Sequence, residues 1–122
     1  MTIGRILVAE DDFIVAFDLC ETMAEAGYSV EGPHGDISSA MLAVQKNKPD
    51  IAILDVNLED GQSYPLAERL MADDIPVIFH SGDYSVEQMR DRFPQALSCA
   101  KPCPPGDLIA KVHEALDHRI PA

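Results

Sequence analysis

A chain of 122 residues with 47% apolar residues can build one domain around one hydrophobic core, and it is too short for a second. Its 9 Lys and Arg residues against 21 Asp and Glu residues give a formal net charge of −12, which repels nucleic-acid phosphates and argues against direct binding of DNA or RNA. No apolar run reaches the roughly 20 residues needed to cross a bilayer, and the N-terminus lacks a secretion signal, so we expect a soluble, cytoplasmic protein with no membrane contact.

The predicted strands are short apolar runs without polar alternation, which is typical of strands buried on both faces of a parallel sheet. Helical periodicity separates these runs, and Gly27 marks the end of the first helix. In chain order we predict a strand at Ile6–Ala9, a helix through Val15, Leu19 and Met23, a strand at Tyr28–Glu31, a helix at Ser38–Lys46, a strand at Ile51–Leu54, a helix at Ser63–Ala72, a strand at Pro76–Phe79, a helix at Val86–Phe93, a strand at Ala96–Ala100 and a helix through Leu108, Val112 and Leu116.

Five strands that are each followed by a helix predict right-handed βαβ crossovers. The fold class is therefore α/β, a doubly wound five-stranded parallel sheet with flavodoxin-like strand order 2-1-3-4-5. We find no linker or repeat, so residues 1–122 are expected to form a single domain without an output domain. In such sheets ligands bind beyond the carboxyl ends of the strands, at the point where the strand order reverses.

Acidic residues follow the first and third predicted strands. Glu10, Asp11 and Asp12 come directly after one, and Asp55 ends the other. Because these strands flank the switch point, the carboxylates should lie together and need a counter-ion, and Mg²⁺ suits oxygen ligands that leave room for water and phosphate. Each signal alone has a simpler reading: Asp12 could cap the next helix, and Asp55 could only begin a turn.

A hydroxyl and an ammonium group follow the fourth and fifth strands. Ser81 could hydrogen-bond a phosphoryl oxygen while Gly82 allows close approach of the backbone. Lys101 could place a compact positive charge beside a carboxylate or phosphoryl group, and Pro102 allows a cis peptide. A turn serine and a solvated lysine are the alternatives, but the coincidence at four strand ends favours a phosphoryl-accepting site.

The cysteines and histidines show no paired spacing typical of a disulfide framework or a zinc site. We therefore predict three reduced thiols, and histidines that are surface or packing residues. These residues are Cys20, Cys99, Cys103, His34, His80, His113 and His118.

Over essentially its whole length the chain resembles the receiver domain of two-component response regulators. The resemblance is carried by the residues from Ile6 to Asp11, the stretch from Leu54 to Leu58 with Gly61, the pair Ser81-Gly82 and the pair Lys101-Pro102. No single fragment is diagnostic, but the set is specific in this order and spacing.

The resemblance implies a role for each site residue. Asp55 would accept the phosphoryl group, Asp11 would bind Mg²⁺ directly, and Glu10 would act largely through bound water. The backbone carbonyl of Asn57 would be a further ligand. Ser81 would contact a phosphoryl oxygen, and Lys101 would pair with Asp55 or its phosphoryl group. Asp12 would then stand at the start of the first helix.

The resemblance also implies partners. A phosphohistidine on a histidine kinase or a histidine phosphotransfer protein would be the donor, and self-catalysed phosphotransfer and autodephosphorylation would be the only reactions, so the chain is not expected to be an enzyme in the usual sense. Asn57 and Asp83 lie where this family tunes hydrolysis of the aspartyl phosphate. Signalling would proceed by contact with a downstream target through the face made by the fourth helix, fifth strand and fifth helix.

The chain departs from the family pattern at two positions. Ser98 stands where many receivers carry a switching Tyr or Phe, with Tyr84 as a candidate substitute. Glu59 replaces a common proline after Leu58, so the loop after Asp55 is expected to be less constrained.

Two other functions remain open from sequence. A Mg²⁺-dependent hydrolase or phosphatase with an aspartyl-phosphate intermediate would want an acid where Asn57 stands. A degenerate receiver could bind partners without phosphorylation, although the complete set of acidic residues, Ser81 and Lys101 argues against it.

Overall fold

The computed structural model describes the backbone of residues 4–119 and the side chains of residues 4–117. Its elements alternate between strands and helices along the chain, as predicted, except that two further short strands stand between the third strand and the third helix. They are β1 (Arg5–Ala9), α1 (Phe13–Glu25), β2 (Ser29–His34), α2 (Ile37–Lys46), β3 (Ile51–Leu54), β4 (Asn57–Leu58), β5 (Gly61–Gln62), α3 (Tyr64–Ala72), β6 (Val77–Ser81), α4 (Val86–Arg92), β7 (Leu97–Ala100) and α5 (Pro105–Arg119).

The main sheet is parallel and has the order β2-β1-β3-β6-β7. Counted by its own five strands this is the order 2-1-3-4-5, so the predicted flavodoxin-like fold is confirmed. The reversal of strand order lies between β1 and β3, which pair with Ala9 opposite Leu54. The residues that follow these two strands are therefore neighbours at the carboxyl edge of the sheet.

The core has two layers because side chains of a strand point alternately to opposite faces of the sheet. Leu7, Leu54 and Phe79 pack on one side against α2, α3 and α4. Ile6 and Ile53 pack on the other side against α1 and α5. Both faces are buried, which explains why the central strands lack polar alternation.

The first helix begins where a side chain can cap it. Asp12 accepts hydrogen bonds from the backbone N–H groups of Ile14 and Val15, so its expected place at the start of the helix is confirmed. Gly27 follows the helix with φ of 101°, a left-handed conformation that favours glycine.

A short antiparallel hairpin follows Asp55 and was not predicted. Its strands, β4 and β5, are two residues each, too short to show a periodic pattern. Asp60 at its turn accepts hydrogen bonds from the N–H groups of Ile37 and Ser38, and the N–H of Glu59 donates to the carbonyl of Gly35. These contacts, rather than a proline at position 59, hold the loop.

The prediction of three reduced cysteines was wrong for two of them. Cys99 and Cys103 are joined by a disulfide, with their Cα atoms 6.1 Å apart, whereas Cys20 is a free, partly buried thiol. The loop after β7 turns back on the strand and brings together two cysteines four residues apart, a spacing that does not match the CxxC pattern.

None of the described helices, all within residues 4–119, is long and apolar enough to cross a membrane. The histidines with described side chains are His34, His80 and His113, and the side chain of His118 lies outside the described residues.

Candidate functional site

Three carboxylates meet at the carboxyl ends of β1 and β3. Glu10, Asp11 and Asp55 each offer an oxygen, and these oxygens lie within 4.8 Å of one another. The backbone N–H of Asp55 donates to the carbonyl of Ala9 over 2.8 Å, so the sheet itself sets this spacing. Glu10 and Asp55 are 3% and 7% exposed, whereas Asp11 faces solvent.

Lys101 reaches this acidic cluster from the loop after β7. Its ammonium Nζ lies 2.6 Å from Glu10 Oε1 and donates a hydrogen bond to Asp55 Oδ2 over 3.2 Å. Its backbone N–H donates to the carbonyl of Ser81, and its peptide bond to Pro102 is cis. The sequence indicated a lysine beside Asp55, but not the shorter contact with Glu10.

Burial and charge shift the protonation equilibria of both partners. Burial raises the pKa of Glu10 from 4.5 to about 7; Lys101 opposes this shift and the Asp55 carboxylate adds to it. Burial acts to lower the pKa of Lys101, but the hydrogen bond to Glu10 and the charge of Asp55 outweigh it and raise that pKa. One lysine contacts a cluster of three carboxylates, and this excess of negative charge favours uptake of a cation or a proton.

The donor set fits a hard divalent cation such as Mg²⁺. Carboxylate oxygens are the ligands that Mg²⁺ prefers, and the exposed Asp11 leaves space for the waters it retains. Asn57 lies close by, because its N–H donates to Asp55 Oδ1 over 3.4 Å and its side-chain amide donates to Asp83 over 2.6 Å. The role of its backbone carbonyl as a ligand stays a prediction.

Ser81 lies at the end of β6 beside Lys101. Its hydroxyl is buried and accepts hydrogen bonds from the backbone N–H groups of Asp83 and Tyr84. Within residues 4–117 no hydrogen bond joins Ser81 to Asp55. A Cβ on Gly82 would lie 3.6 Å from Cδ of Lys101, so the lysine stem passes over this glycine.

His80 is a neighbour of the cluster that the sequence did not reveal. Its Nδ1 lies 4.0 Å from Glu10 Oε1 and has no hydrogen-bond partner among the described residues. Burial, and then the charge of Lys101, lower the pKa of His80 from 6.5 to about 4, so the ring is neutral near pH 7 and forms no ion pair with Glu10. The one available signal was a histidine directly after the apolar run that ends at Phe79.

The surface next to the cluster carries exposed apolar side chains. Phe13, Ile14 and Phe17 begin α1 directly after the acidic residues and are 80%, 74% and 54% exposed. A cleft of about 500 Å³ runs between α1 and α5 and reaches Lys101 and His80. Exposed apolar side chains grouped in this way mark surfaces that bind other molecules.

Comparison with known proteins identifies the family of this fold. Residues 6–113 match the family model described as the response regulator receiver domain. The transcriptional regulatory protein PdtaR of Mycobacterium tuberculosis is 32% identical over 116 residues, which cover 92% of this chain and 56% of that protein. The chain spans about half the length of this relative.

Solved structures show the same architecture. The signal receiver domain of a modulated diguanylate cyclase from Desulfovibrio desulfuricans G20 is 27% identical, with a TM-score of 0.83 and 95% of each chain covered. A CheY-like response regulator receiver domain protein from Methanospirillum hungatei JF-1 is 24% identical, with a TM-score of 0.85 and 97% of each chain covered, and supports the fold alone.

Proposed function

The chain belongs to the response regulator receiver domain family, and we propose that Asp55 accepts a phosphoryl group from a phosphohistidine of a histidine kinase or histidine phosphotransfer protein. The observation that carries the proposal is the position of Lys101, whose ammonium donates to Asp55 at the edge of the three-carboxylate cluster. Receivers are signalling proteins, and the proposed reaction makes this chain a phosphoacceptor of cytoplasmic two-component signalling.

The proposed step is an in-line displacement. An oxygen of Asp55 attacks phosphorus, the bond between phosphorus and the imidazole nitrogen breaks, and the imidazole leaves with the electron pair. Lys101 neutralises negative charge on the transferred group, and burial of Asp55 fixes the direction from which the donor must approach. Ser81 can turn its hydroxyl proton toward a phosphoryl oxygen, because its contacts with Asp83 and Tyr84 use only its lone pairs.

Mg²⁺ fits this proposal as the cofactor. Glu10, Asp11 and Asp55 would hold it, together with the backbone carbonyl of Asn57, and it would supply a positive charge that stabilises the phosphoryl oxygens. Three carboxylates that share one lysine leave an excess of negative charge, and this excess is the reason to expect such an ion here.

Hydrolysis of the acyl phosphate would reset the protein. We place control of that rate at Asn57 and Asp83, whose exposed side chains are joined by a hydrogen bond of 2.6 Å, and the backbone N–H of Asn57 donates to Asp55. Breaking this contact would widen the path of water to the phosphoryl group.

The apolar residues at the start of α1 suit the donor protein. Phe13, Ile14 and Phe17 are exposed and lie beside the site, so a partner that covers them would bring its phosphohistidine to Asp55. The target would bind the face formed by α4, β7 and α5. Ser81 offers the link to that face, because its hydroxyl accepts a hydrogen bond from the backbone just before α4. Position 98 in β7 is a serine, so no aromatic side chain can rotate there.

A hydrolase with an aspartyl-phosphate intermediate is the weaker alternative. Such an enzyme needs a general acid at position 57. This chain has Asn57 there, and its amide donates a hydrogen bond to Asp83. A receiver that works without phosphorylation would share the fold, but it would not need a half-buried lysine in contact with two carboxylates.

Incubation with Mg²⁺ and acetyl phosphate tests the proposal. Intact-mass measurement should find one added phosphoryl group that hydroxylamine removes, and Asp55→Asn should abolish the addition. Asp18→Asn, on the surface of α1, is the matched control and should be labelled normally. Folded wild-type protein that stays unlabelled would favour the non-phosphorylated alternative.

A further inference from the structure

The disulfide between Cys99 and Cys103 closes a ring of five residues with Lys101 at its centre. Cys99 is held in β7, where it pairs with His80 of β6, and Cys103 lies in the loop that leads to α5. The ring therefore ties the backbone on the far side of Lys101 to the sheet.

We propose that Cys99 and Cys103 form a reversible dithiol–disulfide site, oxidised when the Lys101 ammonium is held at the acidic cluster and reduced by a protein dithiol when Lys101 is released. The proposal rests on the proposed function for its consequence, since Lys101 is the residue through which the disulfide would change phosphoryl acceptance. Disulfides of cytoplasmic proteins are usually transient and redox-sensing, which agrees with a reversible role.

The two sulfurs lie where a reductant can reach them. Cys99 is buried at 7% exposure, but Cys103 is less buried, and both line an open groove of about 410 Å³ beside α5. A thiolate of the partner would attack Cys103, form a mixed disulfide and release the Cys99 thiolate, which takes up a proton. The second thiol of the partner then displaces Cys103 as a thiol, so the partner leaves as a disulfide, and the same exchange in reverse re-oxidises the site.

The ring is placed to control Lys101. A loop of five residues removes less entropy from the unfolded chain than a long loop does, so entropy gives this disulfide less stabilising effect than one that joins distant segments. Within the folded protein it limits the conformations of a lysine whose N–H donates to Ser81 and whose ammonium contacts Glu10 and Asp55. Reduction would free the Cys103 end of the loop while β7 stays paired.

The experiment uses Cys20→Ser as the parent, because this removes the free thiol. We compare three proteins: the oxidised parent, the parent reduced with dithiothreitol, and the Cys99→Ser/Cys103→Ser variant. Calorimetry measures their affinity for beryllofluoride in the presence of Mg²⁺, and hydrogen exchange measures the protection of the Lys101 amide. Alkylation and intact mass report the redox state.

The oxidised form should bind beryllofluoride at least about fivefold more tightly than the other two, in the range of ordinary coupling between sites. By reciprocity beryllofluoride should make the disulfide harder to reduce by the same factor. The Lys101 amide should exchange faster in the reduced form, and Lys101→Met should abolish the difference in beryllofluoride affinity.

Equal affinities in all three forms, or a disulfide that dithiothreitol reduces only in unfolded protein, would overturn the redox proposal. If beryllofluoride binds none of the forms, the proposed function fails, and the exchange of the Lys101 amide then decides the redox proposal alone: equal rates in both redox states reject it.

Discussion

The Lys101 ammonium lies closer to Glu10, at 2.6 Å, than to the Asp55 carboxylate, at 3.2 Å. Lys101 thus contacts two acidic residues and does not pair with Asp55 alone. A cation that binds Glu10 and Asp55 competes with this arrangement, so the lysine, the metal and the protonation of Glu10 are energetically linked.

Glu10→Gln should remove a pH dependence of folding in metal-free protein. Burial raises the pKa of Glu10 from 4.5 to about 7, so over this range the folded state keeps a proton that the unfolded state has released. Stability from this group therefore falls as the pH rises, and the advantage of the variant over wild type should grow from pH 4.5 to about 7. Urea unfolding in the presence of a chelator measures this stability difference at each pH. Glu21→Gln, exposed on α1, is the control, and a constant difference between Glu10→Gln and wild type contradicts the prediction.

His80→Asn should remove a pH dependence of folding stability that has the opposite sign to that of Glu10. The pKa of His80 is lowered by burial from 6.5 to about 4, so between these values the unfolded state binds a proton that the folded state does not. The contribution of this group to stability is present above pH 6.5 and is lost as the pH falls toward 4. Plots of unfolding free energy against pH for the variant and for wild type should converge at low pH. His113→Asn, at an exposed position, is the control. Parallel curves would show that His80 is not neutral in the folded protein.

Lys101→Met should strengthen Mg²⁺ binding while slowing phosphorylation. The variant removes a positive charge that contacts two of the proposed ligands and would compete with the ion for them. Loss of that competition should be worth roughly tenfold in Mg²⁺ affinity. The variant also lacks the positive charge that would neutralise negative charge on the phosphoryl oxygens during transfer. Labelling by acetyl phosphate should therefore be slower. Calorimetry and intact mass give the two values. Lys46→Met, at the exposed end of α2, should change neither, and weaker Mg²⁺ binding in Lys101→Met would contradict the competition.

Ser85→Ala should destabilise α4, which has only seven residues. Ser85 accepts from the N–H of Gln88, and the Gln88 side chain accepts from the N–H of Ser85, a capping box. Loss of the serine should cost about 1 kcal/mol in urea unfolding and speed hydrogen exchange in α4. Gln88→Ala removes only the return bond and should cost less. Unchanged exchange in α4 of Ser85→Ala would show that the cap does not hold this helix.

The sequence determined the fold class because both faces of the central strands are buried. Runs such as Ile51–Leu54 carry no polar residue, and the helix after each strand leaves few topologies possible. The sequence likewise placed Glu10, Asp11, Asp55 and Lys101 at one edge of the sheet, because the ends of neighbouring parallel strands must meet there.

Only the tertiary structure decided which of these groups touch one another. The neutral state of His80, which lies in β6, depends on its burial and on the charge of Lys101. The approach of Lys101 to Glu10 and the pairing of Cys99 with Cys103 depend on how the loop after β7 folds back over the strand ends. Those contacts join residues through short irregular segments, in which neither the period of a strand nor that of a helix constrains the side chains. A linear pattern can therefore locate the site, while the distances that set its charge balance come from the packed loops.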